Sequence, residues 1–285
     1  MQTISKTNRI LGIHCENQSI IDLNLKRFNK AQRIEPIDHT RSRPEISEME
    51  AIQRVILLAQ ETGVRLHILH LSSARSMQFI KEAKRCGYPV TVETCPHYLL
   101  LTEEALNSSG PYAKCNPPLR DQANMDFLWN ELLAGNIDCL VSDHSPYTSQ
   151  DKAKGLNDIR LAPPGIAGVE LGLSLMVNEM NKHNRIDFCH LGKLMSTNPA
   201  KLFGLYPRKG TIMIGSDADF VLVDPKEEWI VDAQKLHTKN KWTPYNGWRL
   251  TGKVIRTILR GKTVYLADNN FPQGPGFGNF IPIYG

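Results

Sequence analysis

Residues 45–71 read EISEMEAIQRVILLAQETGVRLHILHL, and that stretch decides the fold class. Behind Pro44, the apolar Met49, Ile52, Val55, Ile56 and Ala59 recur at helical spacing, and Gly63 can end a helix in the left-handed conformation at no steric cost. The next run, Val64–Leu71, is short and rich in Val, Ile and Leu, as a strand covered on both faces should be. A helix that delivers the chain into such a strand is the repeating unit of a parallel sheet with crossover helices.

The same alternation extends in both directions. Arg9–His14 (RILGIH), Pro89–Thr94 (PVTVET) and Ile137–Asp143 (IDCLVSD) read as further strands. Ser73–Cys86 reads as a helix started by hydroxyl side chains and stopped at Gly87, and Asp121–Ala134 as one with an acidic cap that stops at Gly135. After Asn198-Pro199 the texture changes. Gly204, Gly210, Gly215, Gly252 and Gly261 punctuate short runs at Phe220–Val223, Trp229–Val231 and Val254–Leu259, the signature of a smaller antiparallel β region beginning near Tyr206. The expected division is an α/β domain over 1–205 and a β region over 206–285, with Phe271–Gly285 as an extended arm on the surface.

The 285 residues are 41% hydrophobic, enough for a sizeable core, and carry 34 basic against 29 acidic side chains, a net charge of +5. No Lys/Arg run is dense enough to track a phosphate backbone, so nucleic acid is excluded as a partner. No stretch approaches the roughly 20 apolar residues of a membrane helix, and the N-terminus lacks the apolar segment of a signal peptide. A soluble, cytoplasmic protein is expected. Cys15, Cys86, Cys95, Cys115, Cys139 and Cys189 stand singly, which predicts reduced, mostly buried thiols and excludes a cysteine-ligated zinc site.

The polar residues that stand out occupy the carboxyl ends of expected strands, where α/β folds build their sites. His14 ends the first strand, His70 the second and Asp143 the fourth. Two imidazoles and a carboxylate form a donor set that a divalent ion such as Zn²⁺ accepts. A histidine at a strand end can equally be a hydrogen-bonded structural group, and Asp143 a loop carboxylate capping a turn. His67 is separated from His70 by an odd number of residues, which puts it on the opposite face and gives it a structural role. His144, next to Asp143, must face away unless the loop turns it back. His39, His183, His190 and His237 read as surface or cap residues.

A carboxylate such as Asp143 can also take a proton from an attacking water and return it to a leaving nitrogen. Lys114–Arg120 (KCNPPLR) sets Asn116 before two prolines that restrict the backbone, and Ala162–Gly168 (APPGIAG) lets backbone approach closely at its glycines. Substrate contacts are therefore expected from Asn116, Gly165, Ile166 and Ala167, although both segments can be read as stiff turns. Glu93–Tyr98 (ETCPHY) ends the third strand, placing His97 with His144 at the mouth of the site.

The strings HCEN (His14–Asn17), HILHLSS (His67–Ser73), ETCPHYL (Glu93–Leu99), KCNPPLR, CLVSDHSP (Cys139–Pro146) and GIAG (Gly165–Gly168) resemble the cyclic-amidase branch of the amidohydrolase superfamily, with wording closest to the allantoinases. Gly210-Thr211-Ile212 and Gly215–Leu222 resemble the β-sandwich cap of these enzymes. The resemblance implies a TIM (β/α)8 barrel that hydrolyses allantoin to allantoate at a binuclear Zn²⁺ centre, or one of other divalent ions. It assigns His14 and His70 to one ion, Asp143 to the other and to proton transfer, and Asn116 to the substrate ring. The HxH pair and the carboxylated lysine of the family lie upstream of the segment resembling His14, and no HxH occurs in this sequence. The expectation is the second half of the barrel, strands five to eight, with an incomplete two-ion site. Two other readings stay open: an inactive or split-enzyme subunit that needs an N-terminal half-barrel partner or a homo-oligomer, and a hydantoinase or dihydroorotase.

Overall fold

The computed structural model describes residues 1–28, 35–267 and 271–283. Strands β1 (Ile10–Ile13), β2 (Arg65–Ile68), β3 (Val90–Thr94) and β4 (Cys139–Leu140) form one parallel sheet in sequence order. Parallel neighbours that never reverse direction wind the chain one way, as in a (β/α) barrel wall and unlike a doubly wound sheet. Ile13 lies opposite Ile68, Ile68 opposite Val92, and Thr94 opposite Leu140. The strand carboxyl ends therefore emerge along one edge.

Four helices accompany these strands: α1 (Gln18–Phe28), α2 (Glu45–Thr62), α3 (Met77–Arg85) and α4 (Gln122–Leu133). Asn17 Oδ1 accepts the amides of Ser19 and Ile20 at 2.9 and 3.2 Å and starts α1. Helix α2 has the bounds its periodicity predicts, and Gly63 closes it at φ +66° with its N–H on the Ala59 carbonyl. Asp121 caps α4 by accepting the Asn124 amide at 2.9 Å.

Two elements differ from the sequence reading. The hydroxyls ahead of α3 do not cap it: Ser72 donates to Glu48 at 2.6 Å and Ser73 to Glu45 at 2.7 Å, while Asn124 Oδ1 accepts the Ala74 amide at 2.7 Å. Residues Ala74–Ser76 form a 3₁₀ turn before α3 begins. The run Ile137–Asp143 narrows to a two-residue β4, in part because the Asp138 carboxylate takes the Val92 amide at 2.8 Å and Lys84 at 2.7 Å.

The core of this region is the sheet and its covering helices. Leu66, Ile68 and Val92 are fully buried, with Ile52 and Ile56 of α2, Met77 and Ile80 of α3, and Leu128 and Trp129 of α4 also buried. Each such side chain contributes about 1.5–3 kcal/mol by leaving water.

The chain parts into two compact units, residues 1–170 with 232–246, and residues 171–231 with 247–285. Tyr206 lies inside the second. There β5 (Phe220–Ile230), β6 (Arg249–Leu259) and β7 (Lys262–Leu266) form an antiparallel sheet in that order. The runs at Phe220 and Trp229 are parts of one bulged strand, β5. Arg260 and Gly261, at φ +49° and +75°, make the tight turn between β6 and β7. Helix α5 (Gly172–His183) packs on β6, where a Cβ on Gly252 would lie 2.3 Å from Val177. In the tail, Phe277 lies under the Arg260 guanidinium at 4.6 Å; Tyr284 and Gly285 fall outside the described residues.

Among the described residues, no helix is long and apolar enough to cross a membrane. The six cysteines are free thiols; Cys15, Cys95, Cys115 and Cys139 are buried, and Cys86 and Cys189 exposed.

Candidate active site

His14 follows β1 directly, and His70 stands two residues beyond β2. The Leu69 amide donates to the Ile13 carbonyl at 3.1 Å and the Leu71 amide to Glu93 at 2.8 Å, so the ladder continues on both sides of His70. Between them His70 takes φ +37°, a left-handed conformation unusual for a histidine. The result is a direct meeting: His14 Nδ1 lies 3.0 Å from His70 Nε2. On its other side His14 Nε2 faces Glu16 Oε2 at 3.0 Å, and the Arg43 guanidinium donates to the same oxygen at 2.5 Å. With its proton on Nε2, toward the carboxylate, His14 turns the Nδ1 lone pair to His70.

Asp143 lies beyond β4, also left-handed at φ +42°. Burial pulls the His70 pKa down; the Asp143 charge opposes that, and His14 adds to it. Asp143 also helps push up the buried thiols of Cys95 and Cys115, although burial is the main cause in both. His144 turns back toward the loop that follows: it bridges Ile166, and its Nδ1 accepts the Val169 amide at 3.3 Å. His97, expected at the mouth, is 2% exposed, because the helical turn Pro96–Leu100 carries it inward against Tyr98, ring to ring at 4.2 Å. Burial first, and then His70, lowers its pKa to about 3.

Seven buried side-chain atoms lack a hydrogen-bond partner among the described residues, and four of them belong to the strings read above: Glu16 Oε1, His70 Nδ1, His97 Nε2 and Asn116 Oδ1. An unmet buried polar atom costs about 1–3 kcal/mol. Such a concentration is what a site awaiting a polar ligand should show.

The segment that carries Asn116 is tied through Lys114 to Gly165. Gly165 donates its amide to the Lys114 carbonyl at 2.8 Å, and Ser145 donates to the Ile166 carbonyl at 3.0 Å. Glycine is required at 165, where φ is +151° and a Cβ would lie 2.5 Å from Ser145. Ile166 and Ala167 are buried. The Asn116-Pro117 peptide is cis. Asn116 also lies on the wall of a cavity of about 840 Å³, with His39, Arg43, Lys114, Tyr147 and Pro164; His14, His70 and Asp143 do not line it.

Four groups the sequence reading passed over support this region. Glu16 stands inside the HCEN string, two residues from the histidine that was weighed, and its carboxylate is 2% exposed. His39, read as a surface residue, is buried, and its Nε2 reaches the Cys115 carbonyl at 2.9 Å. Burial, and next Lys114, lowers its pKa to about 3. His183, His190 and His237 are exposed as expected. Lys152 and Lys114 are buried with their ammonium groups on backbone carbonyls. No pattern marked Lys152, which sits in the polar string SQDKAKG. His67 is fully buried, its ring held between Thr91 at 2.8 Å and Glu93 at 2.9 Å.

The facing imidazoles suit a metal. Two nitrogens at bonding distance from one tetrahedral zinc stand about 3.3 Å apart, close to the observed separation. Among the described residues, no three His, Cys, Asp or Glu side chains close on a common point. Asp143 is linked to the pair through its charge on His70.

The model of the amidohydrolase family matches residues 4–264. An allantoinase of Escherichia coli O139:H28 (strain E24377A / ETEC) is 38% identical over 280 residues, covering 98% of this chain and 61% of its own length. An allantoinase of Salmonella newport (strain SL254) gives the same figures, 38% identity, 98% and 61%. Among solved structures, an L-hydantoinase (dihydropyrimidinase) from Arthrobacter aurescens superposes with TM-score 0.90 and 36% identity over 92% of this chain and 58% of its own. A D-hydantoinase (dihydropyrimidinase) from Thermus sp. does so with TM-score 0.92 and 30% identity over 98% and 62%. The chain thus spans about three-fifths of the length of these relatives. With a family match that runs through both sheets and a backbone that follows these structures, this chain belongs to the amidohydrolase family.

Proposed function

We propose that the chain works in a metal-dependent cyclic-amide hydrolase of the allantoinase type, which opens allantoin to allantoate, and that β1–β4 are strands five to eight of its (β/α)8 barrel. The observation that carries this reading is the 3.0 Å approach of His14 Nδ1 to His70 Nε2 at the strand carboxyl ends. The sequence-ordered parallel sheet and the identity to allantoinases support it. His14 and His70 would hold a divalent ion, zinc first, with Asp143 joining them or an adjacent ion of a binuclear centre. Such an ion, when bound, polarises the carbonyl under attack and makes the attacking water more acidic.

Glu16 and Arg43 keep His14 in one tautomer and orientation. Asp143 takes the proton of the attacking water and delivers it to the leaving ring nitrogen, so the C–N bond breaks as the C–O bond forms and the ring ends as a carboxylate and a free nitrogen. Asn116 Oδ1 accepts from a ring N–H, and the backbone of Gly165, Ile166 and Ala167 borders the opposite edge. No Ser or Cys nucleophile is needed. The free cysteines fit a reducing, cytoplasmic setting.

The solved hydantoinases favour a second reading within the same chemistry, a hydantoinase. Incubating the zinc-loaded chain with allantoin, hydantoin and dihydroorotate separates the two. Faster turnover of allantoin supports the first reading, and faster turnover of hydantoin the second. No turnover and no bound metal, with activity restored by an N-terminal half-barrel or by self-association, identifies a subunit that needs its partner.

A further inference from the structure

We propose that Lys114 and Lys152 are a pair of buried positioning residues whose ammonium groups hold residues 159–165 in the shape that presents Gly165, Ile166 and Ala167 to the substrate; the inference rests on the cyclic-amidase reading of the site. Buried lysines are rare unless paired with a carboxylate. Lys152 is 0% and Lys114 6% exposed, and among the described residues the hydrogen bonds of both ammonium groups go to backbone carbonyls.

Their partners are main-chain carbonyls. Lys152 Nζ donates to Lys114 at 3.1 Å, Pro163 at 3.1 Å and Gly165 at 2.9 Å, which uses its three protons. Lys114 Nζ donates to Ile159 at 2.7 Å and Ala162 at 2.6 Å, with Arg160 at 3.4 Å. Two ammonium groups thus collect the carbonyls of five of the seven residues from 159 to 165. The indole of Trp242 covers Lys152 at 5.1 Å.

The clamp is closed on itself. The Lys114 carbonyl accepts from both Lys152 Nζ and the Gly165 amide, so the loop is locked to the segment that carries Asn116 two residues later. From the other side, Ser145 and His144 fix Ile166. Burial opposes both charges, drawing Lys114 to about 8 and Lys152 to about 7, yet a neutral side chain of equal volume would leave the Pro163 and Gly165 carbonyls without a donor at position 152 and the Arg160 and Ala162 carbonyls without one at position 114. A loop that needed only bulk would be served by Leu or Met. The arrangement spends two buried charges on one backbone conformation, and that conformation belongs to the expected substrate-contacting residues.

The test is hydrogen exchange on the wild-type chain, Lys114→Met and Lys152→Met, combined with steady-state kinetics on the ring substrate the wild type opens. The amides of residues 159–168 should exchange at least tenfold faster in each variant, while β1 and β3 exchange at wild-type rates. KM should rise at least fivefold with kcat within twofold. Unchanged exchange in the loop overturns the proposal, as does equal acceleration along the whole chain or loss of the fold in both variants, since either assigns the lysines to general stability. A wild type that opens no ring, either by itself or with an N-terminal half-barrel, refutes only the cyclic-amidase reading, and the exchange pattern still decides whether the clamp exists.

Discussion

His14 Nδ1 and His70 Nε2 meet at 3.0 Å although 56 residues separate them in the chain. Two strand ends, each extended by one more ladder bond, bring them there, and Glu16 sets which nitrogen of His14 faces inward. The chemistry of the site depends on this pair and on the carboxylate whose charge it feels.

Asp143 is the proton carrier of the proposed reaction. Asp143→Asn keeps the side-chain shape and removes the base, so kcat should fall by about 10²–10⁴-fold with KM changed far less. Steady-state kinetics on the zinc-loaded chain check this; a kcat within a few-fold of wild type assigns the proton transfer elsewhere.

In the proposed site Glu16 reaches a bound metal only through His14. Glu16→Ala should weaken zinc binding about 10–100-fold, and Glu16→Gln, which keeps an acceptor oxygen, should weaken it less. Competition titration against a chromophoric chelator measures both. Equal affinity in all three proteins removes Glu16 from the site.

Much of this was legible in the sequence where local signals and burial agree. Helix α2 has its bounds written in Met49, Ile52, Ile56 and Gly63, and the cap at Asp121 is read from its type and place. The strand ends that carry His14, His70 and Asp143 follow from the alternation of short apolar runs with helices. Partners supplied by distant backbone or by another helix were not legible. Ser72 and Ser73 looked like caps, and only the folded chain brings Glu48 and Glu45 of α2 to them. His39 finds the Cys115 carbonyl 76 residues on. Lys152 is buried because carbonyls from two separate segments surround it, a fact no periodicity encodes. Helix α1 is announced only by Asn17, whose capping role depends on its side-chain geometry.

The buried pair of Glu48 and Arg120 holds Ser72, two residues past His70. Arg120 donates to Glu48 at 3.2 Å and to Ser72 at 3.1 Å, and Glu48 accepts the Ser72 amide at 2.9 Å. Glu48→Ala leaves a buried guanidinium without its counter-charge and should cost about 3–5 kcal/mol. Urea unfolding measures the loss. A cost under about 1 kcal/mol, typical of an exposed pair, contradicts a structural role for the buried pair.

His39 makes stability pH-dependent in a defined window. Burial and the nearby Lys114 hold it neutral in the fold down to about 3, whereas the unfolded chain takes up the proton near 6.5. The unfolded state binds more protons between those values, so this contribution is complete above pH 6.5 and is lost as pH falls toward 3. His39→Gln keeps a donor for the Cys115 carbonyl without the titration. Between pH 7 and pH 4.5 the wild type should lose about 2 kcal/mol more than the variant in urea unfolding. Equal losses show that His39 does not stay neutral.

Anomalous diffraction from a crystal of the zinc-loaded chain tests the central claim most directly. The peak should lie about 2.0–2.1 Å from both His14 Nδ1 and His70 Nε2. A zinc ion held elsewhere, or His14 and His70 still bonded to each other in saturating zinc, contradicts it.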